Sequence, residues 1–244
     1  MNDRFSLDPL WAAAGPAADL FRADALAALP EAAKRYLARA IRPGARLASA
    51  VRLTMRGEIK LGKWRPFTAE EVLHRERGFI WAASVRMNGL PVRGADRLVD
   101  GEAELRWKML GLIPLVRAAG PDIVRSATGR WLAEWCWLPS AFVSADAQWE
   151  TVDAARVRAR LPAGELVLAV AGDGRLESVS LRRWGNPEGG AFREVDFGAL
   201  AEEEGTFAGF TIPVRLRAGW HFGGERFARE GEFFRCVIER AEFR

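Results

Sequence analysis

One predicted helix carries the residues best suited to chemistry. Arg130, Glu134 and Trp137 stand at positions i, i+4 and i+7, so a helix places them on one face, with Trp131 and Trp135 beside it. A guanidinium can bind a carboxylate through paired hydrogen bonds, and indole rings offer apolar contact area. If the helix is buried, this charged pair must be hydrogen-bonded, because isolated charges are costly to bury.

Two interpretations of this group stay open. In the first, Arg130 pairs with Glu134, or with Asp96 from a predicted strand, and fixes the helix against a sheet. In the second, Arg130 binds the acidic head of a ligand whose apolar body lies among tryptophans. Only the second requires a space beside the pair. The candidate ligand-binding residues are Arg130, Glu134, Trp137, Asp96, Trp81 and Trp131.

Signatures of common enzymes are missing from the sequence. The two histidines, His74 and His221, lack the spacing of a zinc site, and no nucleophile elbow, phosphate loop or dinucleotide fingerprint is present. We therefore expect no metal and no cofactor, and no catalytic residue is identified. A metal-independent enzyme that uses Glu134 or Asp96 as a base beside Arg130 is the alternative to a binding protein.

The helix that carries these residues is predicted from Pro121 to Leu138. Gly120-Pro121-Asp122 is a helix start, Pro139 ends the segment, and 18 residues span about 27 Å. Apolar side chains surround most of its circumference, so we expect it to be buried. An antiparallel sheet needs a cover for its inner face, and this helix has the required length and apolarity.

Most of the remaining chain shows the period of two that is typical of strands. Apolar residues alternate with polar ones in five runs, at Val51–Met55, Phe79–Met87, Leu105–Met109, Val157–Leu161 and Ile212–Trp220. Gly172-Asp173-Gly174 predicts a tight hairpin, and a slip of parity between Leu176 and Val179 predicts a bulge. The last run, Phe233 to Phe243, is apolar on both parities and predicts a strand covered on both faces.

The first 45 residues read as helical. An Ala-rich helix is predicted over Leu10–Leu29 with a break at Gly15-Pro16, and a second helix from Pro30-Glu31 to Ile41. The predicted fold is α+β, mainly antiparallel β. It is a curved sheet or half barrel over residues 46–244, wrapped over the central helix 121–138 and preceded by N-terminal helices, all in one domain of residues 1–244.

The composition and charge of the chain indicate which kinds of binding partner to expect. The formal net charge is +4, but the arginines are mixed with 32 Asp and Glu residues, so we expect no nucleic-acid partner. The sequence has no run of membrane-spanning length, and Cys136 and Cys236 lack disulfide or metal spacing, so a cytoplasmic location and buried free thiols are expected. Arginine-bearing strand faces could instead meet anionic lipid or a protein, namely Arg52, Arg56, Arg156, Arg158, Arg160, Arg215 and Arg217.

The chain resembles an uncharacterised bacterial family known as a domain of unknown function. The resemblance rests on tryptophan-punctuated stretches along nearly the whole chain, at Arg35-Tyr36-Leu37, Trp64–Ala69, Gly78–Ala83, Arg130–Glu134 and Trp137-Leu138-Pro139. Two departures stand out: the family's central Arg-Tyr-Leu is Arg130-Trp131-Leu132, and a Tyr-rich late segment carries phenylalanines. The resemblance implies an architecture similar to the half barrels of LolA-like lipoprotein carriers and of VioE, and it implies no reaction.

These observations favour a non-catalytic binding or carrier protein for a small, largely apolar ligand. The ligand would lie between the sheet and the helix 121–138, with Arg130 orienting any acidic group. The metal-independent enzyme and the anionic-surface or protein-interaction module stay as alternatives. The oligomeric state is left open.

Overall fold

Strands dominate the computed structural model, which describes residues 5–15, 19–144 and 147–244. Within those residues thirteen strands form one antiparallel sheet in the order β6-β5-β4-β3-β2-β1-β13-β12-β11-β10-β9-β8-β7. Two meanders therefore meet where β1 pairs with β13. The strands are β1 (Ala50–Leu61), β2 (Lys63–His74), β3 (Gly78–Met87), β4 (Leu90–Val99), β5 (Glu102–Met109), β6 (Ile113–Ala119), β7 (Gln148–Thr151), β8 (Arg156–Leu161), β9 (Gly164–Val170), β10 (Leu176–Gly185), β11 (Arg193–Phe207), β12 (Phe210–Trp220) and β13 (Glu232–Phe243).

The helices are few and short. They are α1 (Leu7–Ala12), a 3-10 turn (Ala23–Leu26), α2 (Glu31–Ala40), α3 (Pro121–Glu134), a 3-10 turn (Trp135–Trp137), α4 (Ser140–Ser144) and a π-helical turn (Phe227–Gly231). None of these described helices is long and apolar enough to span a membrane.

The N-terminal segment differs in part from its prediction. The helix expected over Leu10–Leu29 is wrong as drawn, because the described residues form only α1 and the 3-10 turn there, while residues 16–18 lie outside the described part. Helices this short are marginal without tertiary support, so high Ala content alone does not hold one. The second predicted helix corresponds to α2, which places Tyr36 and Leu37 in the core.

Alternation along the strands follows the prediction closely. In β1 the side chains of Val51, Leu53 and Met55 are buried, and the intervening Arg52 and Thr54 are half-buried. The hairpin at residues 172–174 joins β9 to β10, and the register shifts between Leu176 and Ser178, as the parity slip predicts. The buried side chains therefore lie on one face of each strand.

The prediction for the last strand is wrong. We expected Phe233–Phe243 to be covered on both faces, but β13 buries Cys236 and Ile238 while Glu239 and Arg240 stay exposed. The strand is central within the sheet, with β1 on one side and β12 on the other. Its edges are therefore covered by hydrogen bonds, and one of its faces is open to solvent.

The central helix lies against the inner face of the sheet. It contacts β4, β5 and β6 near one edge of the strand order and β9 and β10 towards the other. A flat sheet could not bring strands so far apart to one helix, so the sheet is curved around α3. The first turns are partly exposed at Asp122 and Arg125, while residues 132, 133 and 135–138 are buried. The expected burial therefore applies to the second half of the predicted segment.

Candidate functional site

Arg130 lies at the centre of a cluster of three carboxylates. Its Nε donates to Glu134 Oε1 at 2.6 Å, its Nη1 donates to Asp96 Oδ2 at 2.9 Å, and its Nη2 lies 3.4 Å from Glu71 Oε1. The guanidinium also stacks over Phe79, with the ring centre 4.6 Å away. Each nitrogen of this guanidinium is thus engaged by an acidic group of the protein itself.

Strand register brings the carboxylates together. Glu71 on β2 is directly opposite Trp81 on β3, and Trp81 is directly opposite Asp96 on β4. Residues directly opposite in an antiparallel sheet point to the same face, so all three face α3. Arg130 and Glu134 are one helical turn apart on α3, which explains why they pair with each other as well as with the sheet.

Charge balance in the cluster depends on Glu71. This residue is fully buried, and burial first, then the negative charge of Glu134, raise its pKa well above the ordinary value, although Arg130 opposes the shift. One oxygen of Glu71 and one of Glu134 are buried with no hydrogen-bond partner among the described residues. A proton on Glu71 donated to Glu134 would satisfy both oxygens, so we expect Glu71 to be the neutral member of the cluster.

A second buried guanidinium has no such partners. Arg183 on β10 is 9% exposed, and its Nε donates to the Ser126 carbonyl oxygen at 3.0 Å. Its guanidinium lies over the rings of Phe197 and Trp220, at 4.6 and 4.9 Å from their centres. No carboxylate among the described residues forms an ion pair with it. Burial, helped by the positive charge of Arg130, lowers the pKa of Arg183 to about 9.

The helix leaves room for this arginine. Gly129 on α3 faces the stem of Arg183, and a Cβ added to Gly129 would lie 2.8 Å from the Arg183 Cγ. Any larger residue at position 129 would push the stem away from the helix, because such a distance is too short for two carbon atoms. The glycine therefore lets the buried guanidinium approach α3.

Between α3 and the sheet lies a cavity of about 170 Å³. Its walls are mainly aromatic and aliphatic side chains from β1, β3, β11, β12 and β13, among them Ile59, Phe197 and Phe234. Its polar lining consists of Arg130, Glu134, Asp96 and Arg183. An apolar space with a few convergent polar groups is the usual form of a small-molecule site.

Five of the six predicted site residues line this cavity, namely Arg130, Glu134, Trp137, Asp96 and Trp81. The sixth, Trp131, does not line it: this half-buried indole donates to the His74 carbonyl oxygen at 3.0 Å and packs edge-on against Trp135. Sequence reasoning missed Glu71 and Arg183. Whether any of these residues binds a ligand stays a prediction.

The cluster is arranged around a cation that belongs to the protein. Glu71, Asp96 and Glu134 all turn towards Arg130, so the guanidinium stands where a metal ion would need to be. No group of three His, Cys, Asp or Glu side chains in the described ranges is placed to hold a metal ion.

Residues 19–229 match the sequence profile of DUF6544, described as a family of unknown function. The chain belongs to this family. The match includes all the tryptophan-punctuated stretches that carry the resemblance, so the predicted membership of a family of unknown function is confirmed. No curated protein matches the DUF6544 chain.

Three solved structures are similar to the DUF6544 chain in general shape. A DUF1329 family protein from Desulfovibrio piger has a TM-score of 0.43 at 11% identity, covering 80% of this chain and 86% of that one. A candidate outer membrane lipoprotein-sorting domain from Vibrio parahaemolyticus has 0.42 at 8%, covering 80% and 86%. A LolA superfamily protein from Nitrosomonas europaea has 0.40 at 11%, covering 87% and 92%.

The arginine faces that were candidates for a surface partner are neutralised in this DUF6544 chain. Each of the seven arginines forms an ion pair with a neighbouring carboxylate, as in the pairs Arg56–Glu239, Arg160–Glu150 and Arg215–Glu203. The other four are Arg52, Arg156, Arg158 and Arg217. Opposite charges, mostly on adjacent strands, explain this neutralisation, and we do not assign these faces to a partner.

Replacement of Glu71 by Gln tests its protonation. A raised native pKa means that the folded state holds the proton more tightly, so the stability it gives is complete below the unfolded pKa and is lost as pH rises through the native value. Gln cannot lose its N–H donors. We expect the Tm of Glu71→Gln to rise relative to that of the wild type between pH 5 and pH 9. Each kcal/mol of relative stability corresponds to about 2–4 °C in Tm.

Thermal unfolding followed by circular dichroism across this pH range measures the difference in Tm between the variant and the wild type. Glu70→Gln, at the exposed neighbouring position, is the control; it removes an exposed ion pair with Arg52 and should not become more stable relative to the wild type as pH rises. A Glu71→Gln curve parallel to that of the wild type would mean that Glu71 is already ionised in the folded protein.

Proposed function

We propose that this protein is a non-catalytic binding or carrier protein for a small, largely apolar ligand with an acidic group. The ligand lies in the cavity between α3 and the sheet. The observation that carries the proposal is Arg183, a guanidinium that is nine-tenths buried, without an ion-pair partner among the described residues, at the wall of an apolar cavity. A buried charge of this kind lowers stability until an anion pairs with it.

The acidic group is assigned to Arg183 in preference to Arg130. Arg130 is already engaged by three carboxylates, and the negative charges of Glu134 and Asp96 would repel a second acid there. Arg183 faces no carboxylate partner of its own among the described residues, so a ligand acid can take both free Nη groups. Glu134 and Asp96 partly oppose the lowering of the Arg183 pKa, but both pair with Arg130 and neither forms an ion pair with Arg183.

The size of the cavity limits the ligand. A cavity of about 150 Å³ in another protein admits benzene, and the present one measures about 170 Å³. A single aromatic ring or a short branched chain fills such a space, with the carboxylate directed at Arg183. Trp81, which also lines the cavity, has a buried indole N–H without a hydrogen-bond partner among the described residues and could take a polar substituent.

Replacement of Arg183 by Gln should separate acidic from neutral ligands. We expect phenylacetate and hexanoate to bind at least about 10-fold more weakly, because a charge-assisted hydrogen bond contributes about 1.5–3 kcal/mol. The corresponding amides, phenylacetamide and hexanamide, should change less than about 3-fold. Isothermal titration calorimetry, with native mass spectrometry of the freshly purified protein, measures both effects.

The matched control is Arg182→Gln. Arg182 is the preceding residue on β10, is exposed, and pairs with Asp196 on the outer side of the sheet. It should leave the binding of acids unchanged. If the wild type binds none of these probes and carries no ligand after purification, or if Arg183→Gln binds the acids as tightly as the wild type, the proposal fails.

Replacement of Arg183 by Met should stabilise the ligand-free protein. Met keeps an unbranched stem beside Gly129, removes an unpaired buried charge and loses one hydrogen bond, that to the Ser126 carbonyl oxygen. Replacing buried ion pairs by apolar residues is often stabilising by about 1–4 kcal/mol, and we expect a gain of the same sign here. Urea unfolding at pH 7 measures the gain. An arginine kept for the stability of the fold would give the opposite sign, a clear loss of stability.

The second candidate is a metal-independent enzyme with a carboxylate base beside Arg130. Glu134 favours it, because it lines the cavity and Glu71 behind it can hold a proton. Mass spectrometry of the bound ligand after incubation with protein decides between the two. A carrier returns the ligand unchanged, which is our expectation. A product formed by the wild type but not by Glu134→Gln would establish the enzyme instead.

A further inference from the structure

Three hairpins bring their turns to one end of the sheet. The β1–β2, β3–β4 and β5–β6 connections lie at the same end because consecutive strands of a meander alternate in direction. Register staggers them: from the row formed by Phe67, Val85, Val92 and Met109, the β1–β2 turn extends furthest along the strands and the β5–β6 turn least. Neighbouring turns are two strands, or about 10 Å, apart. We call residues 59–65, 86–93 and 108–113 the tip surface.

Large apolar side chains protrude from the tip surface. The exposed ones are Leu61, Leu90, Leu110, Leu112 and Ile113, and Leu112 is 80% exposed. Leu110 is at φ 51°, in the left-handed region that favours Asn and Gly. At the equivalent turn of β3–β4 the chain uses Asn88-Gly89. An exposed leucine in a strained turn costs stability and solubility, so folding alone does not account for it.

The cations of the tip surface have no ion-pair partners among the described residues. They are Lys60, Lys63, Arg65, Arg86, Arg93 and Lys108. No Asp or Glu occurs in residues 59–69, 84–95 or 105–120, and Glu58, just before them, lies 4.0 Å from Arg235. Arg93 and Lys108 are directly opposite each other on β4 and β5, a like-charge pair that weakens a sheet.

This surface differs from other charged surfaces of the molecule. Arginines along β8 and β12 are matched to carboxylates on adjacent strands, as in Arg158–Glu150 and Arg215–Glu203. The tip surface combines unpaired positive charge with exposed leucine, and that combination calls for a partner that is both anionic and apolar.

We propose that the tip surface docks on an anionic lipid bilayer. The leucines stand at the turns and the cations lie one to four residues from them, which matches the order of acyl chain and phosphate in a leaflet. Lysine and arginine stems can also lie along the acyl boundary while their charges reach phosphate. The inference uses none of the residues that surround the ligand cavity except Ile59, and it goes beyond the proposed binding function.

Flotation with vesicles tests the docking. The wild type should bind vesicles of phosphatidylcholine with 30% phosphatidylglycerol and not vesicles of phosphatidylcholine alone, and 0.5 M NaCl should weaken binding. The variant Lys60→Gln/Lys63→Gln/Arg86→Gln/Lys108→Gln should bind at least about 10-fold more weakly. Leu110→Ser/Leu112→Ser should also bind more weakly, because the apolar anchor is lost.

A charge-matched variant provides the control. Arg56→Gln/Arg156→Gln/Arg160→Gln/Arg215→Gln removes four positive charges from arginines that are already paired, and it should keep vesicle binding within about 3-fold. Arg183→Gln should bind vesicles like the wild type, which separates docking from ligand binding. Circular dichroism confirms that each variant is folded.

Three outcomes would overturn the proposal. One is a wild type that does not float with anionic vesicles. Another is that the tip variant with four charges removed binds anionic vesicles as well as the wild type. The third is binding that survives Leu110→Ser/Leu112→Ser unchanged and is reproduced by soluble poly-glutamate, which would indicate an acidic protein partner instead of a bilayer.

Discussion

The fold around the cavity depends on one buried guanidinium. Arg130 joins α3 to β2 through Glu71 and to β4 through Asp96. The helix also meets the sheet through apolar contacts and through single hydrogen bonds, such as that from Arg183 to the Ser126 carbonyl oxygen. Apolar packing has no direction, whereas two charged contacts from one planar group to two different strands restrict where the helix can lie. The position of α3 in turn determines the space left between it and the sheet. The cluster therefore sets where the cavity can be.

The two buried guanidiniums, those of Arg130 and Arg183, differ in their partners. Arg130 and Arg183 are both buried on the inner side of the sheet, but only the first has carboxylates around it. The charge of Arg183 has no ion pair beside the cavity, and a gain in stability does not explain why an arginine is present at this position. This difference between two chemically identical groups is the basis for proposing a structural role for Arg130 and a ligand-binding role for Arg183.

Much of this arrangement could be predicted from the sequence, and there are physical reasons why the rest could not. Periodicity indicates the strands, and proline and glycine indicate the ends of α3, because these signals are local. Glu71 and Arg183 were missed because each follows a residue of the same charge, Glu70 and Arg182, and both dipeptides look solvated. Alternation requires one member of such a pair to face inward, and that signal was available. Which inward charge stays unpaired depends on register between distant strands, which no local pattern contains.

The pairing of β1 with β13 has a consequence for how the protein forms. Residues 50–61 find their partners in residues 232–243, so the two halves of the sheet become one only when the last strand is available. During synthesis, the edge of β1 must wait for about 170 further residues, with its hydrogen-bonding groups open to other chains. Long-range closure of this kind slows folding. The two halves of the sheet join only through this late strand, so damage near it should appear first as slow or incomplete folding.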